Sequence, residues 1–339
     1  MSKLRVGIIG CGRISVVYKE AFKKCSDAID VTFAMDKIIE RADDFAKDFE
    51  GCVSSDLFED TFEQELDVVH ICTPHFLHKE QVVSCLNAGI NVLTEKPMAI
   101  NIPDAEMMIR AANKSGKKLG VIFQNRYIEG VKIAKELIDK GKLGNITGAW
   151  SLLTWWRPPS YYDCDWKGTW SEEGGGVLID QAIHSIDLVQ YLVGSEVEWI
   201  EGHIANRILK NVEVEDVADA AIKFKNGCIY SLFATNYYTN NAPVQIEIKG
   251  EKGTISLKGF DVTVCIDGER DRFYSQDSKS DDAKGHNYWG NYHFEQIREF
   301  YESTINDSPV FINGSEGKKA LSIVLGVYES SKKTKKIKL

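Results

Sequence analysis

A short apolar run from Leu4 to Ile9 leads directly into Gly10-Cys11-Gly12-Arg13-Ile14-Ser15, and this junction constrains the fold more than any other feature of the chain. Gly10 permits a tight strand-to-helix turn, and Gly12 lets the backbone approach a bound group closely. Arg13 and Ile14 open a helix whose first amides point at an anion such as a pyrophosphate. Ser15 stands where the pattern has its third glycine and is small enough for close helix–strand packing. The next strand, Val31 to Met35, ends in Asp36. Its distance from Gly12 suits a carboxylate that accepts hydrogen bonds from an adenosine ribose. The same charge repels a 2′-phosphate and favours NAD, while the adjacent Lys37 leaves NADP open.

The alternation continues through helix Ile39 to Phe49, strand Val68 to Cys72, helix Glu80 to Ala88 and strand Asn91 to Thr94. Helix Pro103 to Ser115 and strand Leu119 to Phe123 complete it. Short β-branched strands alternating with helices imply a parallel sheet covered on both faces. Residues 1–123 therefore read as a Rossmann-type dinucleotide-binding domain. The loop from Thr73-Pro74 to His78 should pass the carboxyl edge of that sheet. His75 and His78 either line the cleft there or serve a helix start or packing.

Lys96 lies at the end of a buried strand, in Thr94-Glu95-Lys96-Pro97. Pro97 confines it to extended backbone, so it projects from a stiff corner. An ammonium there can hydrogen-bond a substrate oxygen as it becomes a carbonyl. A surface lysine at a strand–loop junction is the plainer account, and the rest of the chain argues against it.

After Phe123 the pattern changes. Gly130 to Lys140 reads as a helix, followed by strands at Ile146 to Thr154, Ala218 to Phe224, Cys228 to Thr235, Val244 to Lys249, Gly253 to Lys258 and Phe260 to Ile266. Residues 124–339 are thus expected to form a substrate-binding and oligomerisation domain, an α/β unit with a large, mostly antiparallel open sheet. Helices should cover one face, the other is free to meet another subunit, and the C-terminus can return onto the first domain. Asp277 to Asn287 is polar and expected to be mobile.

Between these strands lie Trp155-Trp156-Arg157, Tyr161-Tyr162, Trp166-Lys167-Gly168-Thr169-Trp170 and Gly174-Gly175-Gly176. The aromatics serve either a pocket for a polar substrate or core and subunit contacts. Arg157 and Lys167 are the candidates for contacting an anionic or hydroxyl-rich substrate. Asp180 and His184, four apart in a run that enters a helix, should face the same way. Such a pair suits a proton acceptor with a supporting carboxylate, and a helix cap with a packed histidine is the bland alternative. No compact third ligand accompanies them, so no metal is expected.

The 339 residues are 43% hydrophobic with a formal net charge of -9, which suits two soluble domains and argues against nucleic-acid or anionic-membrane partners. The basic tail from Ser331 to Leu339 reads as the solvated end of a final strand. Eight scattered cysteines without a Cys-x-x-Cys pair, and no signal peptide, suggest a cytoplasmic protein.

Taken together, Gly7 to Ile14, Cys72-Thr73-Pro74 with His78, Glu95-Lys96-Pro97, Arg126-Tyr127, Gly174-Gly175-Gly176 with Asp180 to Asp187, and Val327 to Ser330 resemble the Gfo/Idh/MocA family of NAD(P)-dependent oxidoreductases. The resemblance covers essentially the whole chain. It implies that Lys96 and His184 hold the catalytic lysine and histidine positions, with Asp180 as acidic companion, and that Glu95 and Pro97 shape the nicotinamide edge. It implies a homodimer or homotetramer and oxidation of a secondary alcohol on a sugar, sugar acid, nucleotide sugar or cyclitol. Trp166 to His184 looks most like the branch that includes UDP-N-acetylglucosaminuronate 3-dehydrogenases, although Lys167 stands where that branch commonly carries arginine. Transient oxidation without net change in NAD, a trans-dihydrodiol-type or carbonyl/imine reductase, and a non-catalytic NAD sensor or scaffold are the competing readings.

Overall fold

The structure is a computed structural model describing residues 3–273 and 292–339; Asp277 to Asn287 lies outside the described residues. The chain forms two compact units, Met1–Gln124 with Tyr288–Lys318, and Asn125–Asn287 with Lys319–Leu339.

The first unit runs β1 (Leu4–Ile9), α1 (Ser15–Lys24), β2 (Ile29–Met35), α2 (Ile39–Ala46), β3 (Val53–Ser55), β4 (Val68–Ile71), α3 (His78–Asn87), β5 (Asn91–Thr94), α4 (Ile102–Ser115) and β6 (Leu119–Val121). Its six strands are all parallel, in the order β3-β2-β1-β4-β5-β6. This is the doubly wound Rossmann arrangement, whose direction of winding reverses beside β1. Every residue of β4 and β5 is buried, because helices cover both faces, and six of their eight residues are accordingly apolar or β-branched, His70 and Asn91 being the exceptions. α4 begins with Asn101, whose side-chain oxygen accepts the Asp104 amide at 2.9 Å, and stops at Gly116 in the left-handed region. Val53-Ser54-Ser55 gives no sequence signal as a strand: it is three residues long, polar and on the sheet edge.

The second unit contains α5 (Glu129–Asp139), β7 (Ile146–Thr154), α6 (Ile183–Val193), β8 (Val197–Ala205), β9 (Val217–Phe224), β10 (Ile229–Thr235), β11 (Gln245–Gly250), β12 (Gly253–Lys258), β13 (Asp261–Ile266) and β14 (Glu269–Phe273). After these come α7 (His293–Ile305), which belongs to the first unit, α8 (Gly314–Lys333) and the terminal β15 (Ile337–Lys338). The nine strands take the order β14-β13-β12-β11-β7-β10-β9-β8-β15, and only β7 and β10 run parallel. The sheet is therefore mostly antiparallel.

Along β10 the pleat buries Tyr230, Leu232 and Ala234 and leaves Ile229 and Phe233 exposed. Trp150 on neighbouring β7 is exposed as well. The buried face packs against α6, which contacts β7 and β11, and against α5, which contacts β13. α8 approaches β8 closely: a Cβ on Gly326 would lie 2.6 Å from Ile200 Cδ1 and would push that side chain aside. β8 escapes a simple reading because its register shifts between Val197 and Trp199, breaking the period-two alternation.

α7 closes the far edge of the parallel sheet. The Gln296 side chain donates to the Val121 carbonyl at 2.8 Å and accepts the Phe123 amide at 3.0 Å. One amide side chain thus satisfies the backbone just past β6, as a further strand would.

Candidate functional site

The residues singled out from the sequence fall into a cluster in each unit. In the first, Gly10 has φ +94 and its amide donates to Met35 O at 2.7 Å. A Cβ there would sit 2.6 Å from the Cys72 carbonyl carbon, so β1 and the end of β4 come together only with glycine in this position. Gly12 differs: a Cβ on it would meet nothing within 4 Å. The turn therefore presents bare backbone to open space, as close approach of a pyrophosphate requires. Helix α1 starts at Ser15 rather than near Arg13, with both intervening residues in the turn. Ser15 does more than fill the third glycine's place, since its hydroxyl donates to Gly12 O at 2.7 Å and stiffens the loop.

Asp36 is buried and braces the same loop. One carboxylate oxygen accepts the Cys11 amide at 2.8 Å and the other the Ile38 amide at 3.0 Å. Each oxygen keeps a further lone pair, so the ribose role and the bracing role are compatible. Lys37 is exposed. Gly10, Gly12, Asp36 and the start of α1 fit a dinucleotide.

At the neighbouring strand ends, His75 is buried in the turn preceding α3. His78 is fully buried, with Nδ1 2.8 Å from the Pro97 carbonyl oxygen and Nε2 2.8 Å from that of Thr73. A neutral imidazole donates to only one of the two, and burial pushes this ring below the ordinary histidine pKa. His78 thus bridges the Thr73-Pro74 loop and the Lys96-Pro97 corner. Thr73 Oγ1 donates to Gln81 at 2.5 Å.

Lys96 is half-buried, and its amide donates to Glu95 Oε2 at 3.2 Å. The Glu95 carboxylate accepts the Tyr18 hydroxyl at 2.8 Å and lies 3.5 Å from His293 Nε2 on α7. Burial alone would raise its pKa, but His293, Lys96 and Tyr18 outweigh that and hold it at about 2. Nothing in the sequence links Tyr18 or His293 to Glu95, because the three come from distant segments.

The second cluster is built around the glycine run. Gly175 has φ +147, and a Cβ on it would lie 2.1 Å from the Tyr328 hydroxyl. A Cβ on Gly176 would collide with Glu215 O at 1.9 Å. The buried Glu215 carboxylate accepts the Gly176 amide at 2.8 Å, the Leu178 amide at 3.0 Å and the Tyr328 hydroxyl at 2.8 Å. It thereby fixes the start of the helical run, although burial still pushes it up to about 7.

That run departs from expectation. Leu178–Ala182 forms a π-turn, and α6 begins only at Ile183, so Asp180 and His184 are not one α-helical turn apart. A widened turn of this kind recurs at functional sites because it re-aims side chains.

Asp180 is buried, and its Oδ2 is 2.7 Å from the Tyr161 hydroxyl, 3.0 Å from Lys167 Nζ and 2.6 Å from Gln181 Nε2. Lys167 also donates to the Tyr161 hydroxyl at 3.0 Å and lies 3.5 Å from Glu173. Burial pushes the Lys167 ammonium down, but Asp180, Tyr161 and Glu173 outweigh it and hold the pKa well above the usual lysine range. Arg157 is buried against the Trp155 and Tyr161 rings and donates to Trp156 O at 3.0 Å and Asn241 at 3.2 Å. Both cations predicted to touch substrate therefore also tie protein groups together. His184 is half-buried on α6. Glu173, Gln181 and Glu215 went unread, since a carboxylate or amide in a glycine-rich or strand segment carries no periodic signal.

The chain thus combines a doubly wound sheet carrying a glycine turn with a mostly antiparallel sheet unit, the layout of a nucleotide-binding unit followed by a second α/β unit. Residues 4–123 match the oxidoreductase family described as an NAD-binding Rossmann fold, and residues 131–256 match the GFO/IDH/MocA C-terminal domain. The chain belongs to the Gfo/Idh/MocA oxidoreductase family.

It is 25% identical to the myo-inositol 2-dehydrogenase of Thermotoga maritima over 99% of this chain and 98% of the relative. It is 27% identical to the 2,7-anhydro-N-acetylneuraminate hydratase of Mediterraneibacter gnavus over 72% of this chain and 65% of that one. The crystal structure of the WlbA dehydrogenase from Bordetella pertussis, in complex with NADH and UDP-GlcNAcA, superposes with a TM-score of 0.87 at 28% identity, covering 100% of this chain and 99% of that one.

Proposed function

We propose that this protein is an NAD-preferring dehydrogenase acting on a secondary alcohol of a sugar, sugar acid, nucleotide sugar or cyclitol. The observation that carries the reading is Asp180, a buried carboxylate held by Lys167, Tyr161 and Gln181 in a π-turn that leads into the helix bearing His184. A polar network of this kind suits a hydroxyl-bearing substrate. Family membership and the NADH- and sugar-bound relative support it.

NAD would be held by Gly10, Gly12, Arg13, Ile14 and Asp36, with Thr73, Pro74 and Glu95 to Pro97 bordering the nicotinamide. When bound, it supplies the acceptor for the hydride that leaves the carbinol carbon. His184 takes the hydroxyl proton, Lys96 donates a hydrogen bond to the same oxygen, and Asp180 orients the polar groups around it.

The test is a screen of sugars, sugar acids, inositols and UDP-sugars with NAD and NADP, following absorbance of the reduced cofactor. Turnover of a polyol with NAD is expected; reduction of carbonyls or imines alone would overturn the reading. The hydratase relative supports a second reading, transient oxidation with no net change in NAD. It predicts product by mass spectrometry without accumulation of NADH.

Asp36 makes a sharper test of cofactor choice. Asp36→Ser should lower the NAD-to-NADP ratio of kcat/KM by about tenfold, equivalent to about 1.4 kcal/mol. The ratio is the proper readout because loosening the Cys11 and Ile38 amides affects both cofactors alike. We further infer that the exposed face carrying Trp150, Ile229 and Phe233 packs against a second copy, which light scattering showing a micromolar monomer would rule out.

A further inference from the structure

We propose that Glu173 is a positioning residue that acts on Asp180 through Lys167, and that the proton it carries sets how firmly Lys167 is committed to Asp180. The inference rests on the role given to Asp180 above. Lys167 Nζ lies 3.0 Å from Asp180 Oδ2 and 3.5 Å from Glu173 Oε1. Glu173 is fully buried, and its other oxygen accepts the Gly168 amide at 2.5 Å. It therefore ties the Lys167-Gly168 segment to the glycine run that leads into the π-turn.

Within contact distance the two buried carboxylates share the Lys167 ammonium, while the Arg157 guanidinium stands on the far side of the Tyr161 ring, so ionising both carboxylates is unfavourable. Asp180 has the shorter contact to Lys167 and also accepts from Tyr161 and Gln181. Asp180 holds the charge, and Glu173 holds the proton.

Burial first, then the Asp180 charge, push the Glu173 carboxyl up to about 8, against Lys167 and the Gly168 amide. Among the groups facing it are Lys167, Asp180 and the phenols of Tyr162 and Tyr328. Both phenols are driven above their ordinary range, chiefly by burial, and stay neutral. Once Glu173 ionises, Lys167 is shared between two carboxylates and its hold on Asp180 loosens. The added charge also opposes the negative charge that builds on a hydroxyl oxygen as its proton leaves.

Carbon-13 NMR of carboxyl-labelled protein reads the proton directly, without turnover. A carboxyl titrating near pH 8, absent in E173Q, is expected. It should move to lower pH in D180N and to higher pH in K167M, while K167R keeps it near the wild-type position. A Glu173 signal in the ordinary glutamate range, or one indifferent to D180N and K167R alike, overturns the proton placement.

The second measurement is the pH profile with NAD and whichever sugar the screen finds. E173Q should raise the ratio of kcat at pH 9 to kcat at pH 7 by about tenfold relative to wild type, since one pH unit above its midpoint about nine-tenths of a carboxyl is ionised. KM should move less than kcat. An unchanged ratio overturns the positioning role. Absence of turnover on every sugar would instead remove the catalytic reading of Asp180, and the NMR couplings would still decide the proton placement.

Discussion

Lys96→Ala is expected to lower kcat by about 10²- to 10⁴-fold, the usual contribution of a positioned acid or base, while NAD binding is largely retained. The asymmetry follows from how the corner is held. The contact from the Lys96 amide to Glu95 Oε2 is a backbone one and survives truncation. Glu95 keeps Tyr18 and His293, so its carboxylate stays ionised at neutral pH even without the nearby ammonium. The glycine turn and Asp36, which would carry most of the cofactor contacts, are untouched. Stopped-flow or steady-state kinetics measure the first quantity and calorimetric titration with NAD the second. Near-wild-type turnover in this variant would remove Lys96 from the chemistry. Combining it with His184→Ala gives a further check: if both side chains serve one oxygen, the double variant should lose little more than the worse single one.

Much of the first unit was legible because its physics is local. Two-sided burial fills β4 and β5 mainly with apolar and β-branched residues, and the Gly10 turn is forced by contact with Cys72. The edge strand Val53–Ser55 was not legible, since an edge needs no apolar pattern. Lys96, Asp180, His184 and Lys167 could be singled out because charged groups beside apolar runs are costly unless used. Their partners could not. His293 reaches Glu95, and Glu215 reaches Gly176 and Leu178, across long stretches of chain, and such contacts leave no spacing to read. The four-residue spacing of Asp180 and His184 assumed an α-turn, whereas the Glu215 carboxylate and the Tyr328 hydroxyl shape the chain leading into a π-turn.

The largest stability effect should come from Asp187→Asn, which is expected to cost about 3–5 kcal/mol because it removes the carboxylate charge paired with a buried guanidinium. Arg126 and Asp187 are both essentially inaccessible, and they pair through two parallel hydrogen bonds, Nε to Oδ2 at 2.9 Å and Nη2 to Oδ1 at 2.6 Å. Asparagine offers one acceptor and turns an N–H group toward the fork. Arg126 also stacks on Tyr191 at 4.6 Å, so both of these partners lie on α6, the helix that carries His184. Urea unfolding of the second unit should show the loss. The exposed Lys140–Glu136 pair serves as the control, where Glu136→Gln should change stability by less than about 1 kcal/mol. Replacing the whole pair, as in R126M/D187L, should recover most of the loss, since apolar groups of similar volume carry no desolvation penalty. If stability returns in that double variant but turnover does not, the pair's contribution is orientational: it fixes the rotation of α6 and hence where His184 points. If both return together, packing alone sets the helix, and Arg126 and Asp187 are interchangeable with any well-fitting core.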